Sequence, residues 1–287
     1  MMLDLVSIIC PAYNEEENVD FIIKKAELIQ SEFQEVKWQF IFIDDGSSDQ
    51  TCDLLSKNSL INSKVIRLNQ NYGSHVAINC GLYFADGDYV SMMSADGQEP
   101  NDLPIKLYHK IKQDKLDLVF AVRESRATDQ VSSMFSKIYN YLVRYLVNPK
   151  FPNSGTDIFM MKKDLINQIR KKYASKISIY LSLFQLNANM NFLPYQQNTR
   201  VAGKSKWSLF KKVKLLCQTF TFFTSNVYLV TYVFCLIVLI YFSFIVPVPL
   251  LFFSLMMLVM INIFFFLNGM YFICLDPKKI ANEVKLK

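Results

Sequence analysis

The sequence predicts an α/β protein with a mostly parallel sheet flanked by helices, followed by a two-helix hairpin that crosses a membrane. Three observations carry this. Residues 1–200 alternate short β-rich apolar runs with helical patterns, the order that builds a parallel sheet covered by helices. No Asp, Glu, Lys or Arg occurs from Leu215 to Leu275. The basic surplus gathers on the two flanks of that run: residues 201–287 hold nine Lys against Asp276 and Glu283, a net +7, whereas the whole chain is +6. About −1 is left for residues 1–200.

Strands are expected at Val6–Cys10, Phe40–Asp44, Lys64–Leu68, Tyr89–Met93 and Leu118–Val122, each a short apolar run bounded by turn residues. Helices are expected between them at about 15–32, 50–58, 75–85 and 101–113. Asn14, with Glu17 three residues on, has the pattern of a helix N-cap and capping box. About 200 residues bury one substantial core, so one domain is expected over 1–204.

The charge-free run is long enough for two spans of roughly 20 residues each. Its strong breaker is Pro247-Val-Pro249, which gives helices at about 220–246 and 250–275. Residues 205–219, beginning near Trp207-Ser-Leu-Phe-Lys-Lys, mix aromatic, aliphatic and Lys positions and fit an amphipathic helix in the headgroup plane. Residues 276–287 form a basic tail. Lysines flanking a span favour the cytoplasmic side, so the N-terminal domain and both termini are expected there. No signal peptide is evident, since Val6–Cys10 is short and follows Asp4. The six cysteines show no CxxC or metal spacing, which fits reduced thiols. The near-neutral residues 1–200 argue against nucleic acid as a partner.

Open α/β sheets bind ligands at the carboxyl ends of their strands. Three polar clusters fall there: Pro11-Ala-Tyr-Asn-Glu15, Asp44-Asp-Gly-Ser-Ser-Asp49 and Ser94-Ala-Asp-Gly-Gln-Glu-Pro100. Their hard oxygen donors suit Mg²⁺ or Mn²⁺ shared with substrate phosphates. A G-x-G-x-x-G fingerprint and a P-loop are both absent, so phosphates would be held by metal and cations. Asp49 reads equally well as a helix cap, and His75 reads as a helix-terminal polar residue.

These clusters, with Asn71-Tyr-Gly73 and Arg200-Val-Ala-Gly-Lys-Ser-Lys-Trp207, resemble in order the motif set of the GT-A fold, family 2 glycosyltransferases. The similarity is to the polyprenyl-phosphate branch, the dolichol-phosphate-mannose-synthase-like enzymes. It covers about 1–210, and the hairpin also matches membrane-anchored members. The resemblance implies that Glu15 and Asp44 bind the base and ribose of a nucleotide sugar, with Pro11, Ala12 and Tyr13 shaping the pocket. Asp45 assists there or caps the next turn. Asp96 and Gln98 are implied as ligands of Mg²⁺ or Mn²⁺ on the diphosphate. Arg123 and Arg200 are implied to meet acceptor or donor phosphate, Asp157 to lie near the acceptor, and Lys204, Lys206 and Trp207 to stand where the domain meets lipid. One position departs: Ser94 stands where many members carry the first Asp of Asp-x-Asp. This leaves metal binding weaker or activity unchanged.

The implied activity is inverting transfer of a sugar from a nucleotide diphosphate to a polyprenyl phosphate, undecaprenyl phosphate in a bacterium, with UDP-glucose as the first donor. A lipid phosphate is already largely dianionic near neutrality, so Asp157 would orient substrate more than remove a proton. A rival is transfer to a sugar hydroxyl, where Asp157 would be a general base. Another is a non-catalytic nucleotide-sugar-binding membrane subunit, motivated by Ser94. A processive polymer synthase is disfavoured, since Gln-x-x-Arg-Trp is missing. Assembly into a homo-oligomer stays open, because small-residue packing motifs are scarce in the spans.

Overall fold

The apolar runs read first in the sequence become the middle of the sheet. In the computed structural model, β1 (Leu5–Ala12) pairs in parallel with β2 (Lys37–Asp44) on one side and with β4 (Tyr89–Met92) on the other. Ile8, Ile9, Phe40, Ile41, Phe42 and Ile43 on these strands are fully buried, the near-continuous apolar composition that a strand covered on both faces requires. The structure describes residues 3–124, 140–141, 143–145, 148–152, 156–173, 179–198 and 277–286. The predicted hairpin, the amphipathic helix and Arg200, Lys204, Lys206 and Trp207 lie outside the described residues. By contacts the chain divides into Met1–Lys204 with Leu275–Lys287, and Ser205–Cys274. All described residues belong to the first unit.

Helix α1 (Val19–Glu32) follows β1 through a 3-10 turn at Glu16–Asn18, and α2 (Thr51–Ser56) follows β2. Strand β3 (Ser63–Leu68), parallel to β2, leads into α3 (Ser74–Phe84) and then β4. Helix α4 (Leu103–Gln113) precedes β5 (Leu118–Arg123). Strand β6 (Ile158–Lys162) inserts between β4 and β5 and runs antiparallel to both. After α5 (Lys163–Tyr173) and α6 (Ile179–Phe184), β7 (Met190–Tyr195) adds in parallel to β5. A short turn, α7 (Pro277–Ile280), leads to β8 (Ala281–Leu286), antiparallel to β3. The sheet order is β7-β5-β6-β4-β1-β2-β3-β8. It is therefore α/β with a mostly parallel core, as the periodicity implies.

Three strands were not expected. Ile158-Phe-Met-Met-Lys162 carries two unbranched Met residues, which do not distinguish strand from helix. Strand β7 contains Pro194, tolerated because β7 is an edge strand. Strand β8 lies within the stretch read as a separate basic tail; it instead extends the sheet beyond β3, and Asn69 N–H donates to Ile280 O at 2.9 Å. The capping box at Asn14 and Glu17 does not form. Asn14 takes a left-handed conformation at φ 50° and accepts a bond from Ser48 N–H at 2.9 Å, so its side chain bridges to the next loop. Helix α1 starts at Val19, five residues after Asn14.

Candidate nucleotide and phosphate site

The parallel strands β1, β2, β3 and β4 release their loops at one edge, and those loops are tied together before any ligand is considered. Asp45 N–H donates to Ala12 O at 2.8 Å, Asn14 N–H to Ser47 Oγ at 2.9 Å, and Glu15 N–H to Thr51 Oγ1 at 2.8 Å. The loops after β1 and β2 thus form one rigid wall. Gly46 makes it possible: φ is 68°, and a Cβ there would sit 2.4 Å from the backbone carbon of Gln70, a position only glycine fills without strain.

The two aspartates of this wall face inward. Asp44 is 0% exposed; its Oδ1 accepts Ser47 N–H at 3.1 Å, and its Oδ2 faces Arg67 Nε at 3.4 Å as an ion pair without a hydrogen bond. Arg67 also donates to Ser47 O at 3.1 Å. Asp44 thus braces the loop through one oxygen and leaves the other without a hydrogen-bond donor. Asp45, also buried, accepts from Tyr72 N–H at 2.8 Å and Gly73 N–H at 2.7 Å. Through these two bonds it caps the start of α3. Glu15 remains partly exposed and accepts from Asn18 Nδ2 at 2.6 Å. Pro11 and Tyr13 are partly exposed beside it, and Ala12 is buried.

The loop after β4 alternates. Ser94, Asp96 and Gln98 are partly exposed, whereas Met93, Ala95, Gly97 and Glu99 are buried. Gly97, at φ 72°, allows the tight turn. Ser94 Oγ donates to Asp96 Oδ1 at 2.6 Å, and Gln98 N–H donates to the same oxygen at 3.3 Å. Ser94 therefore acts as an internal donor that fixes the Asp96 carboxylate. A hydroxyl, a carboxylate and an amide within one turn are hard oxygen donors of the type Mg²⁺ or Mn²⁺ takes, so Asp96 and Gln98 fit such an ion. Among the described residues no group of three or more His, Cys, Asp or Glu is arranged to hold one. Substrate oxygens and water would complete the shell.

Arg123 ends β5, and Asp157 directly precedes β6, its antiparallel neighbour. Their side chains form an ion pair, with Arg123 17% and Asp157 36% exposed. Arg123 Nε donates to Tyr195 Oη at 3.3 Å, the residue paired with it in register on β7. Tyr180 Oη donates to Asp157 O at 2.7 Å. Burial raises the Tyr195 pKa, with Arg123 opposing and Glu99 and Asp96 reinforcing. Burial likewise pushes up the Cys10 thiol at the end of β1, with further charge effects from Glu99, Lys25, Glu15 and Asp96. His75 packs edge-on against Tyr180 at 5.4 Å, and burial lowers its pKa to about 4, so it is neutral near pH 7.

Tyr180, Tyr195, Arg67 and Lys25 were not singled out by sequence. The tyrosines belong to ordinary apolar segments with no motif. Lys25 carried a readable signal, since it falls three residues after Ile22 on the buried stripe of α1.

The pattern described as Glycosyl transferase family 2 matches residues 7–170. An uncharacterized glycosyltransferase of Synechocystis sp. is 26% identical over 212 residues, covering 72% of this chain and 65% of its own length. The chain thus spans just under two thirds of that relative. The undecaprenyl-phosphate 4-deoxy-4-formamido-L-arabinose transferase of Salmonella choleraesuis is 28% identical over 226 residues, covering 77% of this chain and 68% of its own. Among solved structures, mannosyl-3-phosphoglycerate synthase from Rubrobacter xylanophilus superposes with a TM-score of 0.53 at 16% identity, over 75% of this chain and 71% of the other. Glucosyl-3-phosphoglycerate synthase from Mycobacterium tuberculosis, in complex with Mn²⁺, UDP and glucosyl-3-phosphoglycerate, gives 0.52 at 15% identity, over 76% and 79%. These likenesses show a GT-A-like α/β fold.

Proposed function

Because the chain belongs to glycosyl transferase family 2, we propose that it transfers a sugar from a nucleotide diphosphate to a polyprenyl phosphate at the cytoplasmic face of a bacterial membrane, with UDP-glucose as the first donor to test. The observation that carries this reading is the Arg123–Asp157 ion pair, held by Tyr195 at the guanidinium and by Tyr180 at the Asp157 main chain. A fixed cation beside the Asp96 loop suits a phosphate acceptor. A carboxylate committed to that cation suits a hydroxyl acceptor poorly, since accepting a proton would break the pair. The named activity of the Salmonella relative, on undecaprenyl phosphate, points the same way.

In this reading a phosphate oxygen of the lipid attacks the anomeric carbon, the bond from that carbon to the diphosphate oxygen breaks, and the nucleoside diphosphate leaves with inversion. No base is needed for a phosphate already dianionic. Glu15 and Asp44 are assigned to the base and ribose, with Pro11, Ala12 and Tyr13 shaping that end and Asp45 fixing the wall behind them. Arg123 holds the two anionic reactants together, a positional effect, with Arg200 assigned the same task. A divalent ion held by Asp96 and Gln98 would supply charge neutralisation on the leaving diphosphate. Lys204, Lys206 and Trp207 are assigned to the lipid boundary.

Membrane attachment is part of the proposal. No helix among the described residues is long and apolar enough to cross a membrane; the assigned spans lie within Leu215–Leu275. The return of the chain at Pro277, where β8 pairs with β3, supports an even number of crossings. Strands β7 and β8, which precede and follow that stretch in the chain, belong to one sheet, which supports having both on one side. The test is incubation of the full chain with radiolabelled UDP-glucose, polyprenyl phosphate and Mg²⁺ or Mn²⁺. Label in the organic phase is expected; none from any common nucleotide sugar would defeat the reading.

A further inference from the structure

Among the described residues, Lys25 is one of the few charged side chains in the interior, and its place is informative. It lies on the inner face of α1, between Ile22 and Ala26, with a side chain 2% exposed. Its Nζ donates to Glu99 O at 2.7 Å and lies 3.5 Å from Glu99 Oε2. Glu99 is itself buried, and Oε2 has no hydrogen bond. A buried pair of this kind is weak support for stability, because apolar residues of similar volume often replace one without loss. The stripe around Lys25 is already apolar, so a Met would fill the position. What the lysine supplies that a Met does not is direction: it ties α1 to one main-chain carbonyl of the loop after β4.

That carbonyl is next to Gln98. The same loop is fixed at its start by Met93 N–H to Ile9 O at 3.0 Å, and from the β7 side by Asn198 N–H to Gln98 O at 2.8 Å. Within it, Ser94 and Gln98 N–H hold Asp96. The geometry points to Lys25 as a positioning residue: through Glu99 it sets the backbone that presents Asp96 and Gln98 to the metal–diphosphate group of the donor. This rests on the proposed reading of that loop, and it assigns part of the loop's order to a helix that touches no substrate.

The test measures binding of Mn²⁺ and UDP to the full chain by calorimetry, with thermal melting in parallel. For Lys25→Met, Mn²⁺-dependent UDP binding should weaken about 10–100-fold, the usual effect of removing an outer partner of a metal site. UDP binding without metal should stay within about twofold, on the reasoning that separated contacts act independently. Because Lys25→Met leaves Glu99 buried and unpaired, it is paired with Lys25→Met/Glu99→Met, which removes both charges and keeps the volume. The double variant should melt near the wild-type temperature and still show the weakened Mn²⁺ dependence. A stable double variant with wild-type Mn²⁺-dependent affinity would overturn the positioning role while leaving the proposed function intact. Wild-type protein whose UDP affinity is indifferent to Mn²⁺ would instead overturn the reading of the loop itself.

Discussion

Asp157→Asn separates the two acceptor chemistries by magnitude. The substitution keeps the shape and one hydrogen-bond acceptor but removes the charge facing Arg123. The pair is neither surface nor core: Arg123 is 17% and Asp157 36% exposed. Exposed pairs contribute about 0–1 kcal/mol, and removing one partner of a buried pair costs about 3–5 kcal/mol. An intermediate loss of about 1–2 kcal/mol follows, or roughly 5–30-fold in rate if it all falls on the positioning of Arg123. Loss of a general base costs about 10²–10⁴-fold. The assay is the initial rate of lipid-linked label from a radiolabelled donor, across pH 5.5–8.5, for wild type and variant. A phosphate acceptor predicts a modest drop and similar pH profiles. A drop beyond a thousandfold, with a rising pH limb in the wild type that the variant lacks, would refute the role given to Asp157 and favour a hydroxyl acceptor.

Other outcomes follow from particular contacts. His75 has a pKa of about 4 when folded, against the 6.5 ordinary for a histidine in water. The unfolded chain therefore takes up the proton first, and stability is lost as pH falls from about 6.5 toward 4. Between pH 7.5 and 5 this should amount to about 2 kcal/mol, read as a steeper fall in urea midpoint for wild type than for His75→Gln. Gly46→Ala should lower stability by about 2 kcal/mol or more, since its φ of 68° and the 2.4 Å approach to Gln70 leave no room; thermal melting checks this. Deleting residues 277–287 uncovers the β3 edge, so a lower melting temperature and concentration-dependent aggregation by light scattering are expected. Ser94→Ala removes a donor to Asp96 at 2.6 Å and should weaken Mn²⁺-dependent UDP binding by about 1 kcal/mol, measured by calorimetry.

What the sequence made legible was local. Strands β1 to β5 announced themselves because strands buried on both faces, as in the middle of this sheet, are rich in apolar residues, and the turns between them carry Asn, Gly, Asp and Pro. Strands β6 and β8 depend on partners distant in the chain: β6 pairs with β4 about 70 residues earlier, and β8 with β3 more than 200 residues earlier. Nothing in Ala281-Asn-Glu-Val-Lys-Leu286 states that pairing. The site divides in the same way. Its loops were legible because strand ends in an open α/β sheet are where ligands bind, and the motifs name the residues there. How each aspartate is held was not legible. Asp44 and Asp45 are adjacent carboxylates of one motif, and only the positions of Arg67, Tyr72 and Gly73 reveal that Asp44 faces a guanidinium while Asp45 accepts two main-chain N–H groups. Asp96 stays partly exposed, and Ser94, the residue that breaks the acidic pair, bonds to it from within the loop. A departure that reads in sequence as the loss of a metal ligand is thus, in the fold, the gain of an orienting donor, and the Ser94→Ala measurement asks how much of the site's metal dependence runs through it.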